Sequence, residues 1–317
     1  MSMFLIFFLY AVWTSSFAIG KITLAVSSPI FLTAIRMLFA SMILFAFLLI
    51  RKKEKLKIPL SLLFPVLMLS LFSIYLTNIF EFWGLKHLST AKTCFIYSLS
   101  PFFAALFSFI HFKEKISLKK ILGLSIGIFG FLPVLVQQTK TEENIGGVGF
   151  FSWPALAIAG AALCSVYGWV LLRLLVKDGK KSISPITANS YSMLIGGAFA
   201  LIHSFFVDSY SPLPISAGGG GTFLQGILLM TFVSNILCYN LYGYLLKKYT
   251  ATFLSFMGLL SPFFASFTGW IILGEIPSMT ILGSTAIVIL GLWIVYQEEI
   301  KQGYIQKKSD IKIKQEA

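Results

Sequence analysis

The motif Ser-Pro-Phe-Phe-Ala occupies residues 100–104 and recurs at residues 261–265, an offset of 161 residues in a chain of 317. In both copies a glutamate, Glu114 or Glu275, follows the proline by thirteen residues. A second, shorter motif is also repeated, because Ser-Pro-Ile occurs at residues 28–30 and again at 184–186. Self-similarity over this distance indicates that the chain consists of two related halves.

The composition of the chain is that of a membrane protein. Hydrophobic residues make up 57% of the chain and charged residues only 12%, which leaves too little polar surface for a water-soluble globule. A helix needs roughly 20 apolar residues to cross the hydrocarbon core. Ten stretches meet this condition, at about residues 3–22, 29–50, 59–80, 89–111, 118–136, 151–172, 186–207, 223–245, 250–273 and 279–297.

The basic residues predict the orientation of these spans. Twenty of the 25 Lys and Arg residues lie in the loops that share a side with both termini, or in the C-terminal tail. Only four lie in the loops on the other side. Because positive charge marks the cytoplasmic side, we expect a multi-pass membrane protein with both termini in the cytoplasm. The net charge of +13 is therefore assigned to topology and anionic lipid rather than to nucleic acid.

Five spans in each half would give the two halves opposite orientations. Lys115, Lys119 and Lys120 follow Glu114, whereas Ile276, Thr280 and Ile281 occupy the aligned positions after Glu275. The repeated element thus loses its positive charges where it is predicted to face outward. The sequence predicts an all-α membrane protein of ten helices in two inverted repeats, residues 1–147 and 148–298, followed by a basic cytoplasmic tail, residues 299–317.

These features together resemble the drug/metabolite transporter superfamily, EamA type. The resemblance covers residues 3–297 and rests on the Trp13–Lys21 stretch, on Arg36 in the second span, and above all on the doubled element from Pro101 to Glu114 and from Pro262 to Glu275. Within the superfamily, residues 11–36 most resemble the S-adenosylmethionine/S-adenosylhomocysteine carriers of bacteria that live inside host cells. The resemblance implies alternating access, with packing or gating roles for Pro101, Pro262, Glu114 and Glu275.

Two charged residues near the membrane interior are candidates for binding a zwitterion. Arg36 lies inside the second span, where a lone guanidinium costs about 2.5 to 3.5 kcal/mol on insertion scales. It either reaches back to the outer headgroups or anchors a substrate carboxylate. Glu81 lies near the outer end of the third span; it either pairs at the surface with Lys86 or Lys92, or holds a cationic group of the substrate.

Ring and amide side chains complete the predicted binding site. Aromatic rings stack on a nucleobase or attract a sulfonium, and amides pair with the edge of an adenine. The alternatives are interfacial belts for the rings and helix–helix hydrogen bonds for the amides. Besides Arg36 and Glu81, the candidate substrate-binding residues are Trp13, Ser15, Asn78, Tyr97, Tyr167, Asn189, Tyr191 and Tyr239.

Enzyme chemistry is not expected from this sequence. The three histidines have no metal-ligand spacing, and no phosphate-binding loop occurs. We therefore expect no metal and no cofactor, and a small-molecule substrate carried within a lipid bilayer; the monomeric or dimeric state stays open. The best match is uptake of S-adenosylmethionine in exchange for S-adenosylhomocysteine. Export of amino acids or drugs is the alternative, and a non-transporting membrane enzyme or permease chaperone is the alternative of another class.

Overall fold

The computed structural model describes residues 2–51, 58–112, 117–149, 151–176, 182–247, 249, 254–255, 257–258, 261–276 and 278–302. Glu114 lies outside these ranges, so its predicted role at a helix end has no structural description. The helices are α1 Ser2–Leu24, α2 Pro29–Arg51, α3 Leu63–Leu69, α4 Thr77–His87, α5 Thr90–Tyr97, α6 Ser100–Phe112, α7 Leu118–Val136, α8 Lys140–Ile145, α9 Trp153–Val176, α10 Pro185–Val207, α11 Gly220–Met230, α12 Tyr239–Leu245, α13 Ser261–Leu273 and α14 Met279–Lys301.

Two π-helical segments lie at repeat-related positions. A 3₁₀ turn at Leu60–Leu62 begins the third span, and the first π segment, Ser70–Leu76, joins α3 to α4. The second π segment, Thr231–Cys238, joins α11 to α12 and begins 161 residues after the first. A short hairpin of β1 Gly147–Val148 and β2 Phe151–Ser152 precedes α9, which adds a small strand element to the predicted all-α fold.

Seven helices in the described part of the chain are long and apolar enough to cross a membrane. They correspond to seven of the ten predicted spans. The other three predicted spans contain α5 with α6, the 19-residue helix α7, and the 13-residue helix α13. Large apolar side chains lie on the outer surface of the helices, for example Ile50 at 80% and Phe206 at 84% exposure, as expected for helices that face lipid.

The fourth predicted span is broken where a single helix was expected. Helix α5 ends at Tyr97 and α6 begins at Ser100. Pro101 explains the break, because proline has no backbone N–H and disfavours helical geometry in the residue before it. The repeated Ser-Pro-Phe-Phe-Ala motif therefore begins a helix in each half, since α13 also begins at Ser261.

The third span is also longer than expected, because the helix continues from Leu60 to His87 instead of ending at residue 80. The sequence predicts an end at about residue 80, next to the charged Glu81. The structure places Glu81 within α4, where its side chain faces an internal cavity rather than lipid.

The packing of the helices interleaves the two sequence repeats. Helix α2 packs along α10, α7 along α14, α9 against α4, and α1 against α11 and α13. The pair α7 and α14 approaches closely at Gly123 and Gly291, where a Cβ added to Gly291 would lie 2.5 Å from the carbonyl oxygen of Gly123. This arrangement leaves a space between the halves, bordered by α1, α4, α5, α9 and α12.

Candidate substrate cavity

A cavity lies between the two halves and encloses about 800 Å³, a volume that includes open space at its mouth. It is lined by Tyr10, Trp13, Thr14, Phe17, Arg36, Thr77, Asn78, Glu81, Cys94, Tyr97, Ser98, Ser100, Ser165, Val166, Trp169, Ser234, Tyr239, Tyr242, Ser255, Gly258 and Ser261. Six of the ten predicted binding residues are in this set: Trp13, Arg36, Asn78, Glu81, Tyr97 and Tyr239.

Much of the lining comes from equivalent positions of the two sequence repeats. Trp13 and Trp169 are 156 residues apart, the same offset as the repeated Ser-Pro-Ile motif. The offset of 161 residues relates further lining pairs: Asn78 and Tyr239, Glu81 and Tyr242, Cys94 and Ser255, Tyr97 and Gly258, and Ser100 and Ser261. The cavity is therefore built from matched positions whose side chains differ between the halves.

Arg36 is 2% exposed and lies over the ring of Phe82, with its central carbon 4.7 Å from the ring centroid. Its Nη2 donates to Asn78 Oδ1, while its Nε has no hydrogen-bond partner among the described residues. A buried guanidinium with an unused donor is poorly satisfied. Its position in the cavity lining suits binding of an anion from the cavity better than contact with the lipid headgroups.

Asn78 is held by the first π segment. Its Nδ2 donates to the carbonyl of Ile74 at 2.7 Å and also to that of Ser73 at 3.4 Å. The second π segment has the same device, because Asn240 Nδ2 donates to the carbonyls four and five residues before it. The wider turn frees these acceptors, and such segments occur frequently at functional sites. Asn78 thus fixes Arg36 to the irregular part of the third span.

Glu81 lies one turn beyond Asn78 and interacts electrostatically with Arg36 and through its side chain with Tyr97. The alternative of a surface ion pair with Lys86 or Lys92 has no support among the described contacts. Lys92 Nζ instead pairs with Glu142 Oε1 at 2.7 Å and donates to the carbonyl of Gln137 at 2.6 Å. Arg36, Asn78 and Glu81 together form what we call the polar wall.

The Lys92–Glu142 pair is the more buried of the two ion pairs in the described residues, with side-chain exposures of 7% and 0%. Burial alone would raise the pKa of Glu142. Hydrogen bonds from Lys92, from the backbone of Thr139 and from Ser152 outweigh this effect and hold the pKa below its ordinary value. The pair fixes α5, which carries Tyr97, to α8 and the hairpin.

Four aromatic side chains form a second surface, here called the aromatic wall: Trp13, Trp169, Tyr239 and Tyr242. Trp169 lies 4.3 Å from Tyr242 and 5.3 Å from Tyr239 between ring centroids, and Trp13 contacts the other three at 5.5 to 5.8 Å. Edge-to-face and tilted contacts of this kind are favourable. They hold the rings in fixed positions against the cavity.

The other four predicted binding residues lie outside the cavity lining in the described structure. Ser15 Oγ donates to the carbonyl of Val12 at 2.7 Å, a bond within its own helix. Tyr167 packs against the rings of Phe72 and Phe107. Asn189 donates to Asn240 Oδ1 at 3.0 Å, and Tyr191 packs edge-on against Phe45. Asn189 thus makes the helix–helix hydrogen bond that was the alternative for the amides, whereas Tyr167 and Tyr191 pack against rings of neighbouring segments.

Pro101 and Pro262 are buried within the first turns of α6 and α13, next to the lining residues Ser100 and Ser261. Glu275 lies just beyond α13 and pairs with Lys21 Nζ at 2.6 Å. Its other carboxylate oxygen accepts from the backbone N–H of Thr90 at 2.8 Å. Glu275 of the second half therefore joins α1 and α5 of the first half, a contact consistent with a packing or gating role.

Sequence reasoning missed Trp169 and Tyr242 as lining residues. The signal was present, because each occupies the repeat-related position of a residue that was proposed, Trp13 or Glu81. Thr14, Phe17 and Tyr10 were also missed, although they share a helix with Trp13. No group of three or more His, Cys, Asp or Glu residues suited to a metal is present in the part of the chain that the structure describes.

Comparison with known proteins identifies relatives over nearly the whole chain. The sequence profile of the EamA-like transporter family matches residues 1–136 and 152–297. The chain is 39% identical over 306 residues to a Chlamydia trachomatis serovar L2 protein named S-adenosylmethionine/S-adenosylhomocysteine transporter, covering 96% of this chain and 92% of the relative. It is 40% identical to the Chlamydia muridarum protein of the same name, covering 96% and 94%. A crystal structure that is 17% identical has a TM-score of 0.66 over 93% of this chain and 97% of that chain, which shows a shared fold.

Proposed function

The chain belongs to the EamA-like transporter family, and on that premise we propose that it takes up S-adenosylmethionine in exchange for S-adenosylhomocysteine. Family membership makes it a multi-pass membrane transporter and not an enzyme, as the sequence predicted. Two relatives that cover most of the chain bear the name of this transport activity. The single structural observation that carries the substrate assignment is the meeting of the polar wall and the aromatic wall in one cavity.

The polar wall has the groups that an amino-acid head requires. The carboxylate of the substrate binds Arg36, whose planar guanidinium suits a two-point contact and whose Nε has no partner among the described residues. The ammonium group faces Glu81, which lines the same cavity. A zwitterion therefore satisfies two groups that are otherwise poorly compensated inside the membrane.

The architecture proposed for this transport is ten spans in two inverted repeats, residues 1–147 and 148–298, with residues 299–317 as a cytoplasmic tail. Both termini face the cytoplasm of a bacterial cell, and the protein resides in the inner membrane. The two halves move against each other around the cavity, so that it opens to one side at a time. The helices that begin at Ser100 and Ser261 each have a proline in the first turn, and these are the points at which we expect the spans to bend.

The charges of the two compounds make the exchange sensitive to the membrane potential. S-adenosylmethionine has a sulfonium and carries one more positive charge than S-adenosylhomocysteine, so each cycle moves one net positive charge inward. A potential that is negative inside favours this direction by about 2.3 kcal/mol per 100 mV. No coupled proton is required.

Uptake of labelled S-adenosylmethionine by cells that express the chain tests this function, with efflux of labelled amino acids measured in parallel. We expect uptake above that of cells carrying an empty vector, and competition by S-adenosylhomocysteine. Amino-acid efflux without S-adenosylmethionine uptake would instead support the exporter alternative, because the polar wall would also accept a simple amino acid.

A further inference from the structure

We propose that the aromatic wall is the base subsite and that the cavity accepts its substrate in one orientation, with the amino-acid head on the polar wall. This assignment rests on the proposed function and adds the roles of Trp169 and Tyr242 to it. The proposal is based on the different side chains that the two halves place at repeat-related positions of the cavity lining.

The charged side chains in the described cavity lining come from the first half of the chain. Glu81 of the first half corresponds to Tyr242 in the second, and Asn78 corresponds to Tyr239. Arg36 corresponds to Ser192, which is buried and is not among the described lining residues. The charged lining residues that the structure describes, Arg36 and Glu81, thus both come from the first half, while the matched positions of the second half are neutral. A symmetric cavity would offer two equivalent head subsites, but this one offers a single head subsite.

At two matched lining positions the second half contributes a ring where the first half contributes a polar side chain: Tyr242 in place of Glu81 and Tyr239 in place of Asn78. Trp169, Tyr239 and Tyr242 are each no more than 6% exposed, and Trp13 completes their cluster. The walls meet where the side chain of Tyr239 interacts with Asn78. A molecule with a charged head and a planar ring therefore finds both surfaces within one cavity.

Hydroxyl contacts hold Tyr242 of the aromatic wall in place. The hydroxyl of Tyr10 donates to the carbonyl of Leu254 at 2.5 Å, and the side chain of Tyr242 interacts with Tyr10 and Ser255. These contacts connect α1 and α12 to the residues just before α13. Rings that are fixed before the substrate arrives lose little conformational entropy on stacking, which suits recognition of the face of a purine.

Stacking on such rings has a measurable magnitude. Removal of one stacking partner from a nucleobase costs roughly 5- to 150-fold in affinity by the usual range of about 1 to 3 kcal/mol per base. Loss of a charge-assisted contact to a carboxylate costs about 10-fold or more. The two subsites are therefore separable by removing one part of the ligand at a time.

The test measures binding to purified full-length protein of three probes: S-adenosylhomocysteine, an analogue in which a hydroxyl replaces the adenine, and an analogue in which hydrogen replaces the carboxylate. In wild type we expect each truncation to weaken binding by about 10-fold or more. In Trp169→Leu the analogue without adenine should bind less than about 3-fold more weakly than S-adenosylhomocysteine, while the analogue without the carboxylate should still bind about 10-fold more weakly. In Arg36→Gln the carboxylate preference should disappear and the adenine preference persist.

Trp270→Leu is the matched control, because Trp270 is 58% exposed on the outer surface of α13; both preferences should match wild type. If Trp169→Leu keeps the full adenine preference, or if both variants lose both preferences equally, the subsite assignment is wrong. If wild type does not bind S-adenosylhomocysteine at all, the proposed function fails and the subsite assignment fails with it. Retained binding of S-adenosylhomocysteine by the variants shows that they are folded.

Discussion

We expect the ion pair between Lys21 and Glu275 to control how readily the cavity opens toward the outer side of the membrane. We call the group of Lys21, Leu88, Thr90 and Glu275 the outer latch. Lys21 Nζ donates to Glu275 Oε1 at 2.6 Å and to the carbonyl of Leu88 at 2.7 Å. Because Glu275 belongs to the second half and the other three to the first, the two halves cannot separate at this end without breaking the latch.

The backbone at the end of α13 positions Glu275 for this role. Gly274 has a φ of 68° and donates to the carbonyl of Trp270, while the N–H of Glu275 bonds back to the carbonyl of Gly269 at 3.1 Å. This is the usual cap in which a left-handed glycine ends a helix. The cap turns the Glu275 side chain back toward α1 and α5.

The free energy contributed by the Lys21–Glu275 ion pair depends on how exposed the two side chains are. The side chains of Lys21 and Glu275 are 28% and 18% exposed, between a surface pair worth about 0.2 to 1 kcal/mol and a hydrogen bond to a charged group worth about 1.5 to 3 kcal/mol. We expect about 1 to 2 kcal/mol from this pair, or a 5- to 30-fold shift in the equilibrium between closed and open. Lys21→Met removes it, whereas Glu275→Gln keeps an oxygen acceptor for Thr90.

The assay uses Ser100→Cys as a reporter in the cavity, with the three native cysteines replaced by alanine. The rate of modification by a membrane-impermeant thiol reagent added outside should rise several-fold in Lys21→Met and stay near the original rate in Lys21→Arg, which keeps a charged donor for Glu275 and Leu88. Lys86→Met, at an exposed lysine on the same side, is the control and should have no effect. An unchanged rate in Lys21→Met, or an equal rise in Lys21→Arg, would refute the latch.

Three further predictions concern single sites. Arg36→Ala should abolish transport while the amount of protein in the membrane stays near normal, and Arg36→Lys should restore only part because the planar fork is lost; wild-type uptake by the alanine variant would leave Arg36 without a binding role. Lys92→Met should lower the stability of the solubilised protein by about 3 to 5 kcal/mol, and adding Glu142→Gln should recover much of this, as measured by thermal unfolding; additive losses would contradict a direct pair. Because the pKa of Glu142 is held below its ordinary value, the stabilisation from this pair is present above the usual carboxylate range and is lost as the pH falls through the lowered pKa; Lys92→Met, which lacks the pair, should show a weaker loss of stability at acid pH. A cysteine at Ala217 should be labelled from outside and a cysteine at Lys301 should not; the reverse pattern would overturn the proposed topology.

Apolar length and repetition predict the helices well, because a span needs a run of apolar residues and the two halves contain similar runs. Helix α7 begins at Leu118 and ends at Val136, as predicted. The break at Ser100 was less accessible, since Pro101 permits either a kink or a new helix. The hairpin at residues 147–152 gave no signal because each strand has only two residues.

The cavity was only partly predictable because a side chain in an apolar helix turns by 100° per residue. Ser15 and Trp13 are two positions apart and point to different faces, so only Trp13 reaches the lining. Tyr167 and Asn189 carry the same chemistry as the lining residues Tyr97 and Asn78, and only the packing of neighbouring helices separates them. The repeat relation supplies part of the missing information, because it identifies Trp169 from Trp13.

The most direct test of the exchange mechanism is uptake of labelled S-adenosylmethionine into proteoliposomes that contain the purified protein and no ion gradient. We predict that vesicles preloaded with S-adenosylhomocysteine take up the label faster than empty vesicles, because a loaded carrier returns without crossing the membrane empty. An inside-negative potential should increase the rate, and a pH gradient alone should not. If preloading has no effect and uptake requires a proton gradient, the exchange mechanism is wrong and proton coupling through Glu81 replaces it.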